Sequence, residues 1–357
     1  MIRSLQRPDA PYPVYNGGTS YTGFYEKFNN EAGKIVISAR GANAGFVNLV
    51  RTRFWGGNSA YSVAINDPAQ YSLEFLYQLI KRNQHLFTDF QQAANIPAVS
   101  KSDVENFQVA TPFMVEQTRV GGFFHVLDAL IAANQRKADM IKQLKRAYLR
   151  QLFPEEGEMV PRLRFPGFTG AWEQHKLGDV VDWAKGNGLA KQALNEQQQG
   201  NEAIHYADLY KFGAVIDAVI HWSSTSEGYE VPSNSLLFPM SDVTPSGLAR
   251  VSALMKRLVR AGGDTLIATA IGQVAADFLS YQINANSSRI LPLVTGTTVR
   301  HISAAALSTL DIAIPSLKEQ SRISAILSSF DHLITLHQRK CDQTEELKRA
   351  YLQKMFL

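Results

Sequence analysis

The chain has 357 residues, 45% hydrophobic and 19% charged, the composition of a soluble globular protein with room for two ordinary domains plus connectors. Its 36 Lys+Arg against 32 Asp+Glu leave a net charge of +4 and a pI near 9.0, a mildly basic balance compatible with nucleic acid without requiring it. The single cysteine, Cys341, excludes an internal disulfide and a cysteine-based zinc site. No apolar run approaches the ~20 residues of a membrane span, and the N-terminus lacks a charged-then-apolar signal pattern, so a cytoplasmic location is expected.

In chain order, residues 1–111 read as mixed α and β. A strand is predicted over Gly33–Ser38 and a helix from Tyr71 to Phe87, with turn chemistry at Asn16-Gly17-Gly18 and Trp55-Gly56-Gly57-Asn58. A long helix follows in 112–153, just after Pro112. Its apolar residues recur at Val120, Phe124, Leu127, Ile131, Ala138, Ile141, Leu144, Tyr148 and Leu152, mostly three or four apart, with charged residues expected on the outside. About 37 helical residues make a rod of roughly 55 Å. Residues 154–163, with Pro154-Glu-Glu-Gly-Glu158 and Pro161, read as a linker. Residues 164–314 are again mixed α and β: a turn at Gly186-Asn187-Gly188, a helix over Ser246–Ala261 and a strand over Asp264–Thr269. A second long helix fills 315–357, with a stripe of Ile323, Leu327, Phe330, Ile334, Cys341, Leu347, Tyr351 and Met355.

The two long helices are copies. Pro112–Pro154 aligns with Pro315–Leu357 without a gap at an offset of 203, and 18 of the 43 positions are identical, including Leu144-Lys-Arg-Ala-Tyr-Leu149 against Leu347-Lys-Arg-Ala-Tyr-Leu352. Outside them, Ile35–Gly45 parallels Leu266–Ala275, and Ile96–Lys101 parallels Val299–Ala304 at the same 203 offset. A chain that repeats its connectors and varies what lies between them is built as two equivalent holders for two different readers. An amphipathic stripe this long has to bury its seam, and the simplest partner is the other copy; antiparallel pairing would place one globular unit at each end of the pair. The seam carries Asn134 and His337 at equivalent places. They fix the register of the pair or sit at a wetter point of it, and both readings stand. Cys341, on the same stripe, reads as a small buried apolar residue rather than a reactive thiol.

Catalytic signatures are missing. The chain has no phosphate-binding Gly-x-x-x-x-Gly-Lys-Ser/Thr loop, dinucleotide fingerprint, His-Glu-x-x-His or Gly-x-Ser-x-Gly. The nearest string to an amino-methyltransferase tetrapeptide, Asp9-Ala-Pro-Tyr12, does not qualify. The eight histidines have no metal spacing.

Arg164-Phe-Pro-Gly-Phe-Thr-Gly-Ala-Trp-Glu-Gln-His-Lys-Leu-Gly-Asp179 resembles the opening of a target-recognition domain in the specificity subunit of type I restriction–modification enzymes. Ile314-Pro-Ser-Leu-Lys-Glu-Gln-Ser-Arg-Ile323 and His337-Gln-Arg-Lys340 resemble that family's conserved helices, and Gly41-Ala-Asn-Ala-Gly45 resembles a recurrent recognition loop. The resemblance covers essentially the whole chain. It implies an α+β fold of two mixed α/β target-recognition domains (1–111 and 164–314) joined by two long helices (112–153 and 315–357) pairing as an antiparallel coiled coil. It also implies a non-catalytic subunit: each domain reads half of a bipartite site on double-stranded DNA, and the helices act as a ruler for the unread spacer. The helices would dock two modification (methyltransferase) subunits, which carry S-adenosylmethionine, and restriction subunits join them. No cofactor or metal is expected on this chain. The first domain has no counterpart of the Arg164–Asp179 string and is expected to be N-terminally shortened. A scaffold whose rods only assemble protein partners, without sequence-specific DNA reading, is the rival reading.

Base reading needs Arg, Asn, Gln or Lys on loops or helices that approach closely. In the first domain Tyr21, Arg40 and Asn43 lie beside turn-rich Asn16–Gly18 and Gly41, and Lys101 suits a phosphate. In the second, Arg250, Lys256, Arg257 and Arg260 cluster at helical spacing with Leu254 and Leu258, either as a basic face against phosphates or as the solvated face of a core helix. Thr269, Gln273, Arg289 and Arg300 are further candidates beside predicted loops.

Overall fold

The computed structural model describes residues 7, 9–87 and 97–356. Seven α-helices occur among them: α1 (Leu73–Arg82), α2 (Lys101–Glu105), α3 (Met114–Leu152), α4 (Pro245–Leu248), α5 (Ala276–Ala285), α6 (Ala304–Leu307) and α7 (Leu317–Met355). The chain divides into two compact units, one of Met1–Gln135 with Gln338–Leu357 and one of Arg136–His337. The 39-residue helices α3 and α7 therefore give one half each to both units.

In the first unit, Lys34–Ser38 is the middle strand of an antiparallel trio with Val47–Val50 and Ala60–Val63. A smaller sheet places Tyr12–Tyr15 between Phe24–Tyr25 and Trp55–Gly56. Helix α1 starts where Ser72 Oγ accepts the Phe75 N–H, carries Glu74 in its first turn and ends on Lys81 and Arg82, so caps and charges suit the helix dipole. Its apolar face meets Ile35, Ile37 and Val47 of the sheet, Phe124 and Leu127 of α3, and Phe356 just past the end of α7 in one core. Gly121 permits that approach: a Cβ there would lie 2.7 Å from the Phe75 nitrogen.

In the second unit the central sheet runs Ser252–Leu254, Ser235–Pro239, Thr265–Ala270, Val181–Lys185, all antiparallel. A second sheet runs His221–Ser223, Asn201–Ile204, Val259–Ala261, Tyr229–Val231, and its middle pair is parallel. The core gathers Trp172, Leu236, Phe238 and Phe278 with Leu152, Ile323 and Leu327 of the long helices and Phe153 just past the end of α3.

The helix expected over Ser246–Ala261 is not formed. Helix α4 stops at Leu248, and the rest is two strands, Ser252–Leu254 and Val259–Ala261, in different sheets. Apolar residues three and four apart fit a helix, but Val251–Leu254 is also an unbroken buried run, which a strand covered on both faces produces equally well.

Within each unit the halves of α3 and α7 run antiparallel. In the first, the Phe123 and Tyr351 rings lie 5.0 Å apart, Lys348 Nζ is 2.6 Å from Asp128, and Cys341 Sγ is 3.5 Å from the Ile131 carbonyl. In the second, Lys145 Nζ is 2.5 Å from Asp331 and the Tyr148 and Phe330 rings are 5.3 Å apart. The seam departs from its expected course near the repeated Leu-Lys-Arg-Ala-Tyr-Leu string. Leu144 and Leu347 are 47% and 46% exposed, and Tyr351 and Met355 are exposed as well. The next residues, Lys145 and Lys348, turn inward instead because an aspartate waits for each.

The 203 offset extends into the packing. Helices α1 and α5 are related by it (73 + 203 = 276, 82 + 203 = 285). Buried Gln117 accepts the Ser72 N–H and donates to the Gln70 and Pro112 carbonyls; buried Gln320 accepts the Ala275 N–H and donates to the Gln273 and Pro315 carbonyls. Asp128 takes Gln78 Nε2 at 2.7 Å where Asp331 takes the Tyr281 hydroxyl at 2.9 Å. Burial and Asp331 both push the Tyr281 phenol upward, which keeps it a donor. Phe356 packs tilted against Phe75 as Phe153 packs tilted against Phe278. Ser100 and Ser303 cap α2 and α6 at equivalent positions; Ile96, at the head of that sequence match, lies outside the described residues. Asn134 and His337 are both half-buried, and Asn134 donates to Leu130 in its own helix.

Candidate nucleic-acid interface

In the first unit one sheet edge collects most of the expected readers. The Gly41 N–H donates to the Pro97 carbonyl, Val99 to Ala39, and Ala39 to Ser59, so residues 39–43, 59 and 97–101 run side by side. Asn16 Oδ1 accepts the Ser59 N–H at 3.0 Å, and a Cβ on Gly57 would lie 2.4 Å from that oxygen, so this glycine is required for the turn to close. Arg40, Asn43 and Asn58 stand exposed on this frame with side chains that make no hydrogen bond or ion pair among the described residues. Lys101 is exposed and pairs with exposed Glu105 at 3.1 Å, a link that solvent screening makes easy to exchange for a phosphate. Tyr21 is half-exposed and rests on Phe24.

In the second unit most of the expected cations hold the fold together. Arg250, half-buried, donates to the Tyr210 and Phe212 carbonyls, and burial lowers its pKa. Lys256 is held by Glu202 at 2.5 Å. Arg260 donates to the Ser226 and Gly228 carbonyls and faces Glu230. Arg289 lies 3.9 Å from Glu156, and Arg300 donates to the Gly296 carbonyl. Thr269 lies inside a strand, its hydroxyl 2.9 Å from that of Ser235, rather than beside a loop. Gln273 is exposed, with only its backbone engaged by Gln320. Arg257 differs from its neighbours: it is exposed and forms no ion pair among the described residues.

The structure surrounds Arg257 with groups that the sequence reading passed over. Val259 pairs with Glu202 in the parallel ladder and Asn201 with Ser223, so Arg257–Leu258 emerges at the same sheet end as Gln197–Asn201 and Ser224. Leu258 is 72% exposed at a φ of +64°, a costly conformation for a leucine. Asn195 pins the neighbouring turn through the Gln199 backbone, leaving the side chains of Gln197, Gln198, Gln199 and Asn201 facing solvent. Amides of this kind match the donor–acceptor edge of adenine, and a guanidinium matches guanine or phosphate. The signal was the polar run Gln197-Gln-Gln-Gly-Asn201, which composition alone presents as an ordinary loop.

Among the described residues no group of His, Cys, Asp and Glu is arranged to hold a metal ion, and no helix is long and apolar enough to cross a membrane.

Comparison with known proteins agrees with this architecture. A putative type I specificity subunit of Mycoplasma pneumoniae is 23% identical over 180 residues, 50% of this chain and 45% of that protein. One from Mycoplasma genitalium is 21% identical over 196 residues, 55% of this chain and 51% of that protein, so the matched segments span about half the length of these relatives. The crystal structure of a type I restriction–modification system S subunit from M. genitalium superposes with a TM-score of 0.77 at 16% identity, covering 100% of this chain and 91% of that one. Residues 2–143 and 170–346 match the family described as the type I restriction modification DNA specificity domain, and the chain belongs to that family.

Proposed function

We propose that this chain is the DNA-binding specificity subunit of a type I restriction–modification complex, with each unit reading one half of a bipartite duplex site. One observation carries the reading: the joint between helix and domain is repeated atom for atom at Gln117 and Gln320, while the exposed tips it holds are unlike. The first tip offers Arg40, Asn43 and Asn58; the second offers Arg257 and the Gln197–Asn201 turn. The long helices dock two modification subunits in this reading, with restriction subunits joining them. Adenine methylation, with S-adenosylmethionine, belongs to the modification subunits in the cytoplasm, and this chain performs no chemistry.

The test is methylation mapping of genomic DNA after co-expression with the cognate modification subunit. A bipartite methylated-adenine motif with a fixed gap is expected. Deleting whole heptads from both helices should change that gap while both half-sites persist. No methylation from an assembled complex, together with duplex affinity that does not fall as salt rises, would turn the assignment to a scaffold.

A further inference from the structure

We infer that Leu258 is an apolar base reader of the second unit, placing its isobutyl group on the C5-methyl of a thymine in the major groove. The inference deepens the proposed function and rests on its DNA-reading role. Among the described residues, those other than glycine with a positive φ are Leu189, Gln198, Asn234, Leu258 and Asp264. Asn and Asp enter this region more easily than other side chains. Leu189 (φ +52°) is 1% exposed, so its burial offsets the strain. Gln198 (φ +60°) and Leu258 (φ +64°) remain, both exposed and both at the sheet end where Arg257 emerges.

Backbone strain gathers at functional sites, where the surrounding structure enforces it. The enforcement here comes from one residue. Lys256 Nζ lies 2.7 and 2.5 Å from the two Glu202 carboxylate oxygens, and Val259 pairs with Glu202 in the parallel ladder, so Glu202 clamps the chain on both sides of Leu258. Val259 is fully buried, whereas Leu258 joins no apolar core among the described residues. Nothing inside the unit offsets either its strain or its exposure.

A leucine held outward in this way suits the thymine methyl, the apolar group that a base pair presents in the major groove. Its neighbours select that groove. Gln197, Gln198 and Asn201 carry exposed side-chain amides that match the major-groove edge of adenine, and the thymine paired with that adenine presents its methyl in the same groove. The tip thus reads A·T pairs with an amide on one base and Leu258 on the other, while exposed Arg257 meets a phosphate or a guanine.

The test uses the full chain assembled with its modification subunit, titrated by fluorescence anisotropy with a duplex carrying the mapped site. Thymines are replaced one at a time by deoxyuridine, which removes only the C5-methyl. A replacement in one half-site should weaken binding about fourfold, the effect of one buried methyl group. Leu258→Gly should erase that fourfold difference, and Leu258→Met should keep it. A turn merely loosened by glycine would weaken thymine and uracil duplexes alike and preserve their ratio. Arg257→Ala should weaken both duplexes and likewise preserve the ratio. Because glycine takes this φ without strain, the melting temperature of Leu258→Gly should not fall below that of the parent. Tight binding indifferent to every deoxyuridine, or a fourfold difference that survives Leu258→Gly, would overturn the role of Leu258 and leave DNA reading intact. So would a 2-aminopurine in the site that brightens on binding only when Leu258 is present, which would make the leucine a wedge between bases. An assembled complex without salt-dependent duplex affinity would remove both readings.

Discussion

Replacing Gln320 by leucine tests whether the repeated glutamine is a structural joint. Gln320 is fully buried; its side chain accepts the Ala275 N–H at 2.9 Å and donates to the Gln273 and Pro315 carbonyls, both at 2.9 Å. Leucine matches its bulk and leaves all three groups without that partner. Gln273 is exposed and water can reach its carbonyl, so two orphaned groups remain, near the start of α5 and at buried Pro315. At about 1–3 kcal/mol for each buried unsatisfied group, the loss is about 2–6 kcal/mol. Gln117→Leu removes the equivalent three bonds, but Gln117 lines an open groove with Phe113 and Glu116 among the described residues, so water offsets more of the loss and about 1–2 kcal/mol is expected. Urea denaturation followed by circular dichroism, fitted with two transitions for the two units, measures both. A Gln320→Leu chain within 1 kcal/mol of the parent, or a Gln117→Leu chain harmed more, would refute the reasoning.

Arg164→Gln should destabilise the second unit by about 3 kcal/mol, because it strands the nearly buried Glu319 carboxylate; adding Glu319→Gln should recover at least half, read by the same denaturation. Arg257→Ala should leave the melting temperature unchanged yet weaken duplex binding and reduce the slope of log K against log salt by about 0.9 if the guanidinium meets a phosphate. Burial, helped by the like charge of Lys348, lowers the Lys81 ammonium from 10.5 to about 8. Between those pH values the folded state holds fewer protons than the unfolded one, so stability should rise with pH, by on the order of 1 kcal/mol after solvent screening. Lys81→Met should flatten that rise in melts taken at several pH values.

The duplication made the helices and their starts legible, because Pro112 and Pro315 and a stripe of apolar residues mark a helix independently of what it packs on. The inward turn of Lys145 and Lys348 was not legible: a lysine on a seam is explained only by Asp331 and Asp128, which lie far off in sequence. Similarly, Val251–Leu254 carries a pattern that suits helix and strand alike, and the two sheets that claim Ser252–Leu254 and Val259–Ala261 decide between them. The candidate site was half legible for the same reason. A sequence shows that Arg250, Arg257 and Arg260 are arginines, but not that the first and third are committed to backbone carbonyls.

That difference gives a physical criterion for separating frame from reader in this family member. A cation or amide whose head group is anchored on backbone groups inside its own unit cannot swing out to a base edge without leaving those groups unpaired. Arg250, Arg260, Gln117 and Gln320 are in that position, and moving them costs the fold. Arg40, Asn43 and Arg257 have unspent donors on pinned backbones, so contact with DNA would add hydrogen bonds without removing any. Their setting also limits the entropy lost on binding, because Asn16 and Asn195 already hold the neighbouring turns. If the proposed function holds, two units with the same joints and different unspent tips can diverge in what they read while α3 and α7 stay unchanged, since no tip residue takes part in the packing that sets the register of the helices.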